Sequence, residues 1–338
     1  MKKPRNPQLL KKSIIIYLII LPVTILILLE LAVKILFPTT FQSLFTHSTK
    51  QWVTPDTSIE SFFSTSNFIK SKITGYKLTP NSPLGTNSLG MLDTPRMKHK
   101  PKECYRIICV GDSTTARPFH HDLVYPTLLE QLLNKQKQEK YFEVWNCAVP
   151  GYNSIQYCNA TTKQWINFDP DLVIIGFCLN DFGTTPILVR EKGALIGYFP
   201  NREIITKVNP FLLQHSALYR ILVIKILSLK HSESKDIIKI SAKKFYETKK
   251  ILDKKNIELL IVIFGFPKNF DSYELYFKQS YSAIKKIIAD YDINYIDMVP
   301  AFEANGPKSF VLFEGDEIHF NKKASTLIAE KIYSYLNK

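Results

Sequence analysis

The sequence lacks the cysteine spacing of a zinc site. Its five cysteines include no Cys-x-x-Cys pair, and the adjacent residues His120 and His121 are too isolated to indicate a metal site. We therefore expect no metal and no other cofactor. We interpret the two histidines as a surface pair, with a position lining the functional site as the alternative. The odd number of cysteines leaves at least one thiol unpaired within the chain. The cysteines are Cys104, Cys109, Cys147, Cys158 and Cys178.

Also missing is a run of basic and aromatic residues of the kind that binds nucleic acid, so no nucleic-acid partner is expected. The formal net charge is nevertheless +14. Six basic residues against Glu30 give the first 37 residues +5, which leaves +9 for the remainder. This balance favours anionic surroundings such as acidic glycans or lipid headgroups. The lysines are spread along predicted helices, which indicates mainly a solvated surface.

One apolar run, residues 13–37, is long enough to cross a bilayer as a helix, which takes about 20 residues. Pro22 falls near its middle, and Glu30 and Lys34 are spaced to pair on one helix face. The run has no small-x-small cleavage site and exceeds the apolar core of a signal peptide, about 7–15 residues. We therefore expect an uncleaved anchor in the cytoplasmic membrane. The basic tail, residues 1–12, would stay in the cytoplasm and the rest of the chain outside it.

The pattern after the anchor changes at residue 104. Residues 38–103 are rich in Ser, Thr, Pro and Asn with scattered aromatics, which predicts a connecting segment packed on a domain. Residues 104–338 alternate apolar runs with amphipathic helices, the pattern of an α/β domain with a mostly parallel sheet covered on both faces. The five predicted strands are 105–110, 142–149, 171–177, 258–264 and 294–298. The main predicted helices are 125–137, 154–167, 236–255, 271–290 and 321–336.

Residues 184–235 break this alternation and form an insertion. Their apolar stretch, 218–229, is too short and too charged to span a membrane. Two interpretations stay open. The insertion packs over the functional site and touches the bilayer surface, as long loops in compact domains are often functional, or it is a surface helical hairpin.

Three predicted strands are followed by residues that suit a catalytic site. Ser113 follows the first strand, Gly151 the second and Asn180 the third, whereas Asp316 and His319 precede the last helix. The carboxyl ends of parallel strands lie at one edge of a sheet, which is where such folds bind ligands. We therefore expect these five residues to meet.

Their chemistry matches acyl transfer to a serine. A serine hydroxyl becomes a nucleophile when a general base accepts its proton, and histidine is the usual base. Asp316 can hold the other ring nitrogen of His319 and fix its tautomer. The Ser113 and Gly151 amides and the Asn180 side-chain amide are suitable donors to an oxyanion. The alternative role for Ser113, a helix N-cap, does not explain the other four residues.

Four short motifs, in order, resemble those of the SGNH (GDSL-type) hydrolase superfamily over roughly residues 105–337. One departure is that three residues, not one, separate Gly176 from Asn180. The resemblance implies a flavodoxin-like three-layer α/β/α sandwich and serine esterase or acyl-transfer chemistry without a metal. It implies a catalytic Ser113, Asp316 and His319, an oxyanion hole of Ser113, Gly151 and Asn180, and supporting roles for Asp112 and Asp181 in holding the turns. The motifs are Gly111-Asp112-Ser113, Gly151, Gly176 to Asp181, and Asp316-x-x-His319.

The upstream segment and the predicted anchor add a narrower resemblance, to a subgroup of bacterial envelope proteins. The predicted function is a membrane-anchored serine esterase whose substrate is an O-acetyl group on envelope glycan or a small lipid ester. One alternative is an O-acyltransferase that modifies an envelope polysaccharide, and another is a non-catalytic glycan-binding protein that retains the fold. Hydrolysis and transfer stay open, because the choice depends on how water is excluded.

Overall fold

The structure, a computed structural model, divides into two compact units. One unit comprises Met1–Ile59, Ile187–Tyr198 and Ile204–Lys230, and the other comprises Glu60–Pro186, Phe199–Glu203 and His231–Lys338. The structure describes residues 7–36, 67–117, 121–135, 140–183, 187–191, 194–198, 206–209, 211–212, 216–219, 222, 234–314, 316 and 318–337.

Ten strands are formed within these described residues. They are β1 (Phe68–Ser71), β2 (Gly75–Leu78), β3 (Cys104–Gly111), β4 (Tyr141–Asn146), β5 (Leu172–Cys178), β6 (Ile187–Glu191), β7 (Ala194–Tyr198), β8 (Thr206–Val208), β9 (Glu258–Phe264) and β10 (Asn294–Asp297). The longer α-helices of the same residues are α1 (Pro7–Leu36), α2 (Tyr125–Leu133), α3 (Ser154–Lys163), α4 (Ser234–Asp253), α5 (Leu275–Asp290), α6 (Val299–Ala304) and α7 (Lys322–Leu336).

The second unit is built on a five-stranded sheet of order β10-β9-β5-β3-β4. All four strand pairs are parallel. Numbered along the chain, the five strands stand in the order 2-1-3-4-5, which is the flavodoxin-like arrangement. The predicted α/β class with a five-stranded parallel sheet is confirmed.

The two faces of this sheet are covered by different helices. Ile107 and Cys109 of β3 lie on one face, in a buried cluster with Leu129 of α2 and Ile328 of α7. The intervening strand residues point to the opposite face, where α3 contacts β3 and β5 and α4 contacts β9. Every residue of β5 is buried, as expected of a central strand covered on both sides.

Two paired glycines let the chain fold back onto the sheet directly after β3. Gly111 of β3 lies opposite Gly176 of β5. A Cβ on Gly111 would lie 2.6 Å from Thr115 Oγ1 and 2.8 Å from the Gly176 carbonyl oxygen. A Cβ on Gly176 would meet the same Thr115 hydroxyl and lie 2.7 Å from the Phe264 ring. Position 176 therefore requires a glycine because the turn that follows β3 packs closely against it.

The described part of the predicted connecting segment, residues 67–103, packs on the sheet, and Arg106 of β3 is one reason. Its guanidinium is fully buried and lies 4.2 Å from the centre of the Trp145 ring. It donates to Glu143 at 2.8 Å, which compensates its charge. It also donates to three successive carbonyl oxygens of the segment, those of Met97, Lys98 and His99.

This segment also contains a feature that the sequence analysis did not predict, the antiparallel hairpin β1–β2. Its turn uses Gly75 with φ +83°, a conformation that glycine adopts without strain. Phe68, Tyr76 and Leu78 of the hairpin are buried. The packing of these side chains, rather than a long apolar run, accounts for the two four-residue strands.

Within the predicted insertion, residues 184–235, the structure describes three strands, which one of the two interpretations, a helical hairpin, did not include. β6, β7 and β8 form a three-stranded antiparallel sheet. Most of the apolar stretch 218–229 lies outside the described residues. The described residues of this stretch, Leu218, Tyr219 and Leu222, are helical.

The predicted anchor, residues 13–37, falls largely within α1. Glu30 and Lys34 pair as expected, at 3.2 Å, and Glu30 also accepts hydrogen bonds from Ser216 Oγ and the amide of Ala217, at 2.8 and 2.7 Å. The prediction of a transmembrane helix is not supported, however: a search of the described residues finds no helix with the length and apolar character needed to cross a membrane.

Candidate active site

The turn after β3 is held by Asp112, which leaves Ser113 free to face the site. The Asp112 carboxylate accepts hydrogen bonds from the Thr114 amide at 2.8 Å and from the Thr114 hydroxyl at 2.6 Å. Its carbonyl oxygen accepts from the amide of Ala116 at 2.9 Å. Asp112 therefore caps this turn, and Ser113 is not the N-cap that the sequence left as an alternative.

Ser113 and His319 are 206 residues apart in the chain, yet their side chains are in contact. His319 Nε2 lies 3.0 Å from Ser113 Oγ. On the other side of the ring, His319 Nδ1 lies 3.0 Å from Asp316 Oδ2. A carboxylate only accepts hydrogen bonds, so Nδ1 carries the ring proton and Nε2 is the acceptor that faces the serine. The predicted serine, histidine and aspartate are thus brought together in the order that a general base requires.

Backbone contacts fix the segment that carries His319. Asp316 Oδ1 accepts from the amides of Ile318 and His319, both at 3.0 Å. Asn321 caps α7 by accepting from the Ala324 amide at 3.1 Å. The backbone N–H of Asn321 donates to the Phe310 carbonyl oxygen at 2.9 Å. The histidine is therefore held between an aspartate-closed turn and a helix start.

The Asp316 carboxylate and the His319 ring each shift the pKa of the other. Burial lowers the pKa of His319, but the hydrogen bond and negative charge of Asp316 outweigh it, and the pKa is raised above its usual value. For Asp316, burial raises the pKa, but hydrogen bonds from the His319 ring and amide outweigh it, and the pKa is lowered from its usual value. Asp316 is therefore ionised at neutral pH and stabilises the imidazolium that forms when His319 accepts a proton.

The two other predicted donors lie at the same edge of the sheet. The loop that carries Gly151 is tied to β3, because the Val149 amide donates to the Gly111 carbonyl oxygen at 3.2 Å. Gly151 itself has φ +78°. Asn180 follows β5, and its side-chain oxygen is buried with no hydrogen-bond partner among the described residues. The group of this side chain that can donate to an oxyanion is the amide nitrogen.

Asp181 holds the Asn180 loop as Asp112 holds the serine turn. Its carboxylate accepts from the Cys178 amide at 2.9 Å, and its carbonyl oxygen accepts from the amide and hydroxyl of Ser154 at the start of α3. Burial, and then the negative charge of Asp112, raise the pKa of Asp181 well above its usual value. Burial likewise raises the pKa of Asp112. Both contacts match the turn-holding roles predicted for these residues.

One charged residue near the histidine was not predicted. The positive charge of Arg117 opposes protonation of the ring and offsets part of the rise in the pKa of His319. Burial in turn lowers the pKa of the Arg117 guanidinium. The sequence held no local signal for it, because residues 113–117 are not part of a helix that would place Arg117 and Ser113 on one face.

Across the described part of the chain, no group of three or more His, Cys, Asp or Glu residues could hold a metal ion. The five cysteines are free and buried. His120 lies outside the described residues, and His121 begins the short 3-10 helix His121–Leu123.

Comparison with known proteins agrees with this geometry. Residues 109–327 match the model of the GDSL-like lipase/acylhydrolase family. The match covers more than half of the chain and contains all of the predicted site residues. The chain belongs to this family of hydrolases, and the resemblance drawn from its motifs is confirmed. No curated protein matches the chain significantly.

Solved structures with a similar fold include two esterases and a lipase. The acetyl xylan esterase AlAXEase is 18% identical, with 68% of this chain and 99% of that chain covered and a TM-score of 0.45. The acetylxylan esterase Axe2 from Geobacillus stearothermophilus is 14% identical, with 72% and 97% covered and a TM-score of 0.47. A lipase/acylhydrolase from Enterococcus faecalis is 15% identical, with 69% and 95% covered and a TM-score of 0.42.

The Asp316–His319 pair predicts a pH dependence. The base must be neutral, so kcat/KM should fall as the pH drops through the His319 pKa, which is raised above that of an ordinary histidine. Asp316→Asn removes the interactions that raise this pKa. The acid limb of the pH–rate profile should therefore move to lower pH, and the plateau rate should fall by roughly 10²–10⁴-fold, since the ring loses its orienting acceptor.

The control is Glu314→Gln, which also neutralises a carboxylate in this loop but at an exposed position. It should keep both the plateau and the acid limb. An acid limb that stays in place in Asp316→Asn would show that Asp316 does not set the pKa of the base.

Proposed function

We propose that this protein is a serine esterase that hydrolyses an ester through an acyl-serine intermediate. The observation that carries the proposal is the contact of 3.0 Å between His319 Nε2 and Ser113 Oγ, with Asp316 on the other ring nitrogen. Three side chains in this order serve as nucleophile, general base and orienting acid on several unrelated folds.

In the proposed first step, Ser113 Oγ attacks the ester carbonyl carbon while His319 Nε2 accepts the hydroxyl proton. The negative charge that develops on the carbonyl oxygen is stabilised by the Ser113 and Gly151 amides and the Asn180 side-chain amide. Removing one such donor costs about 10²–10³ in kcat in a well-studied protease. The bond to the alcohol then breaks, and His319 returns the proton to the alcohol oxygen. Ser113 is left acylated.

In the second step the same groups act on water. His319 accepts a proton from a water molecule, whose oxygen attacks the acyl carbon. The bond to Ser113 Oγ breaks, Oγ recovers the proton, and the free acid leaves. If a sugar hydroxyl takes the place of water, the product is a new ester, so the acyltransferase alternative shares the first step. A non-catalytic glycan-binding role is disfavoured because it would leave the assembled triad without a use.

We propose that the substrate is an ester, either an O-acetyl group on a glycan or a small lipid ester. The name of two similar structures, acetyl xylan esterase, is consistent with a carbohydrate acetyl ester. The positive charge of Arg117 beside His319 is consistent with an anionic substrate. The net charge of +14 points in the same direction.

The place of action is proposed from the sequence alone. The basic residues before the apolar run 13–37 favour a protein held at the outer face of the cytoplasmic membrane. The full chain should then stay with the membrane fraction after an alkaline carbonate wash and leave it only in detergent. Release by the wash would contradict an anchor.

Labelling of the full chain by a fluorophosphonate tests the serine chemistry. The probe should attach to the wild type and not to Ser113→Ala, and hydrolysis of p-nitrophenyl acetate should be lost with it. Ser309→Ala, which removes an exposed serine elsewhere, should behave as the wild type.

Adding acetylated xylan and a free glycan acceptor to the same assay separates hydrolysis from transfer. A folded wild-type protein that neither reacts with the probe nor turns over the ester would refute the proposal.

A further inference from the structure

The β1–β2 hairpin lies upstream of residues 109–327, the part of the chain that matches the family, yet it packs against the loop that carries Gly151. The Tyr76 ring contacts the Tyr152 ring edge to face, with centres 5.2 Å apart. It also contacts the Phe68 ring of the same hairpin, at 5.5 Å. All three aromatic side chains are buried. The hairpin is therefore part of the wall behind the predicted oxyanion hole.

The hydroxyl of Tyr76 makes the decisive contact. Tyr76 Oη donates a hydrogen bond to the carbonyl oxygen of Pro150 at 3.0 Å. This carbonyl belongs to the same peptide unit as the Gly151 N–H. In a planar trans peptide the C=O and N–H point in opposite directions. Holding the Pro150 oxygen therefore fixes the direction in which the Gly151 N–H points.

The hydroxyl also lies against the Gly151 Cα. A Cβ built on Gly151 would be 2.9 Å from Tyr76 Oη, and the φ of +78° disfavours a side chain as well. Glycine at this position is thus required both by the backbone conformation and by the approach of the tyrosine. The two residues are complementary in shape, although 75 positions separate them in the sequence.

A buried network holds the tyrosine itself in place. The Tyr76 carbonyl oxygen accepts hydrogen bonds from the hydroxyls of Tyr152 and Thr74, both at 2.6 Å. Gln156, in the first turn of α3, donates to the Thr74 carbonyl oxygen at 2.8 Å. The same Gln156 side chain closes the capping box with Asn153. The hairpin, the Gly151 loop and the start of α3 are therefore joined by buried hydrogen bonds.

We propose that Tyr76 is a positioning residue for the oxyanion hole, acting through the Pro150–Gly151 peptide; this role rests on the proposed function of the site. Without the hydroxyl the peptide is free to rotate, and the Gly151 N–H loses its fixed direction toward the oxyanion. Such a loss affects the transition state more than the ground state, so it lowers kcat with little change in KM.

The test compares Tyr76→Phe with Tyr273→Phe in the full chain. Phenylalanine keeps the ring packing and removes only the hydroxyl. Tyr273 is the control, because it is also buried and its hydroxyl also donates to a loop carbonyl, that of Phe266, at 3.0 Å, and it accepts in addition from the Phe266 amide at 2.6 Å. For each variant we would measure the thermal midpoint, kcat and KM for p-nitrophenyl acetate. We would also measure the inhibition constant of an alkylboronic acid, which forms a tetrahedral adduct with a serine.

In Tyr76→Phe, kcat should fall by about tenfold or more, KM should stay within about twofold, and boronate inhibition should weaken by the same factor as kcat. The acid limb of the pH profile should not move. Tyr273→Phe should change none of these constants by more than about twofold while losing at least as much thermal stability, since it loses two hydrogen bonds.

The role of Tyr76 is overturned if both variants have the same kcat and boronate affinity, or if Tyr76→Phe raises KM alone. These outcomes leave the esterase proposal standing, because the wild type still turns over the ester. If the wild type itself does not react with ester or fluorophosphonate, the proposed function fails and the role of Tyr76 fails with it.

Discussion

The parallel pairing of β3 with both β4 and β5 decides which residues can meet in this protein. Cys109 of β3 lies opposite Asn146 on one side and Ile174 on the other, so the register of the three strands is fixed. Neighbouring strands are about 4.8 Å apart, and the chain leaves all three at the same edge. Ser113, Gly151 and Asn180 are close to this edge because of that register, which a one-residue slip would destroy.

The site is then fixed locally by carboxylates that accept backbone N–H groups. Asp112 closes the serine turn, Asp181 closes the asparagine loop, and Asp316 closes the histidine turn. Asp316 is the one of the three that also binds the histidine ring. Burial raises the pKa values of Asp112 and Asp181. The hydrogen bonds that Asp316 accepts from His319 instead lower the pKa of Asp316.

The sequence was sufficient to predict the sheet and the triad, because both leave local signals. Buried parallel strands appear as continuous apolar runs, and three of these runs are followed by site residues, namely Ser113, Gly151 and Asn180. The contact between Ser113 and His319 followed from topology. Each partner lies in a short motif of its own, and the sheet edge brings the two motifs together across 206 residues.

The hairpin and the strands of the insertion could not be predicted in the same way. β1 and β2 have four residues each, too few for a period to be counted, and their stability comes from partners far along the chain. The bond from Tyr76 to Pro150 spans 74 residues and depends on tertiary packing alone. The predicted transmembrane helix, in turn, rested on composition and is not supported by the structure.

Rapid quenching of the full chain with p-nitrophenyl acetate, followed by peptide mass spectrometry, would detect the acyl-serine intermediate itself. We expect one acetyl group, carried by Ser113, that accumulates before steady state and disappears as the ester is consumed. Turnover with the acetyl group on another residue, or turnover with no covalent adduct at any time point, would exclude Ser113 as the nucleophile.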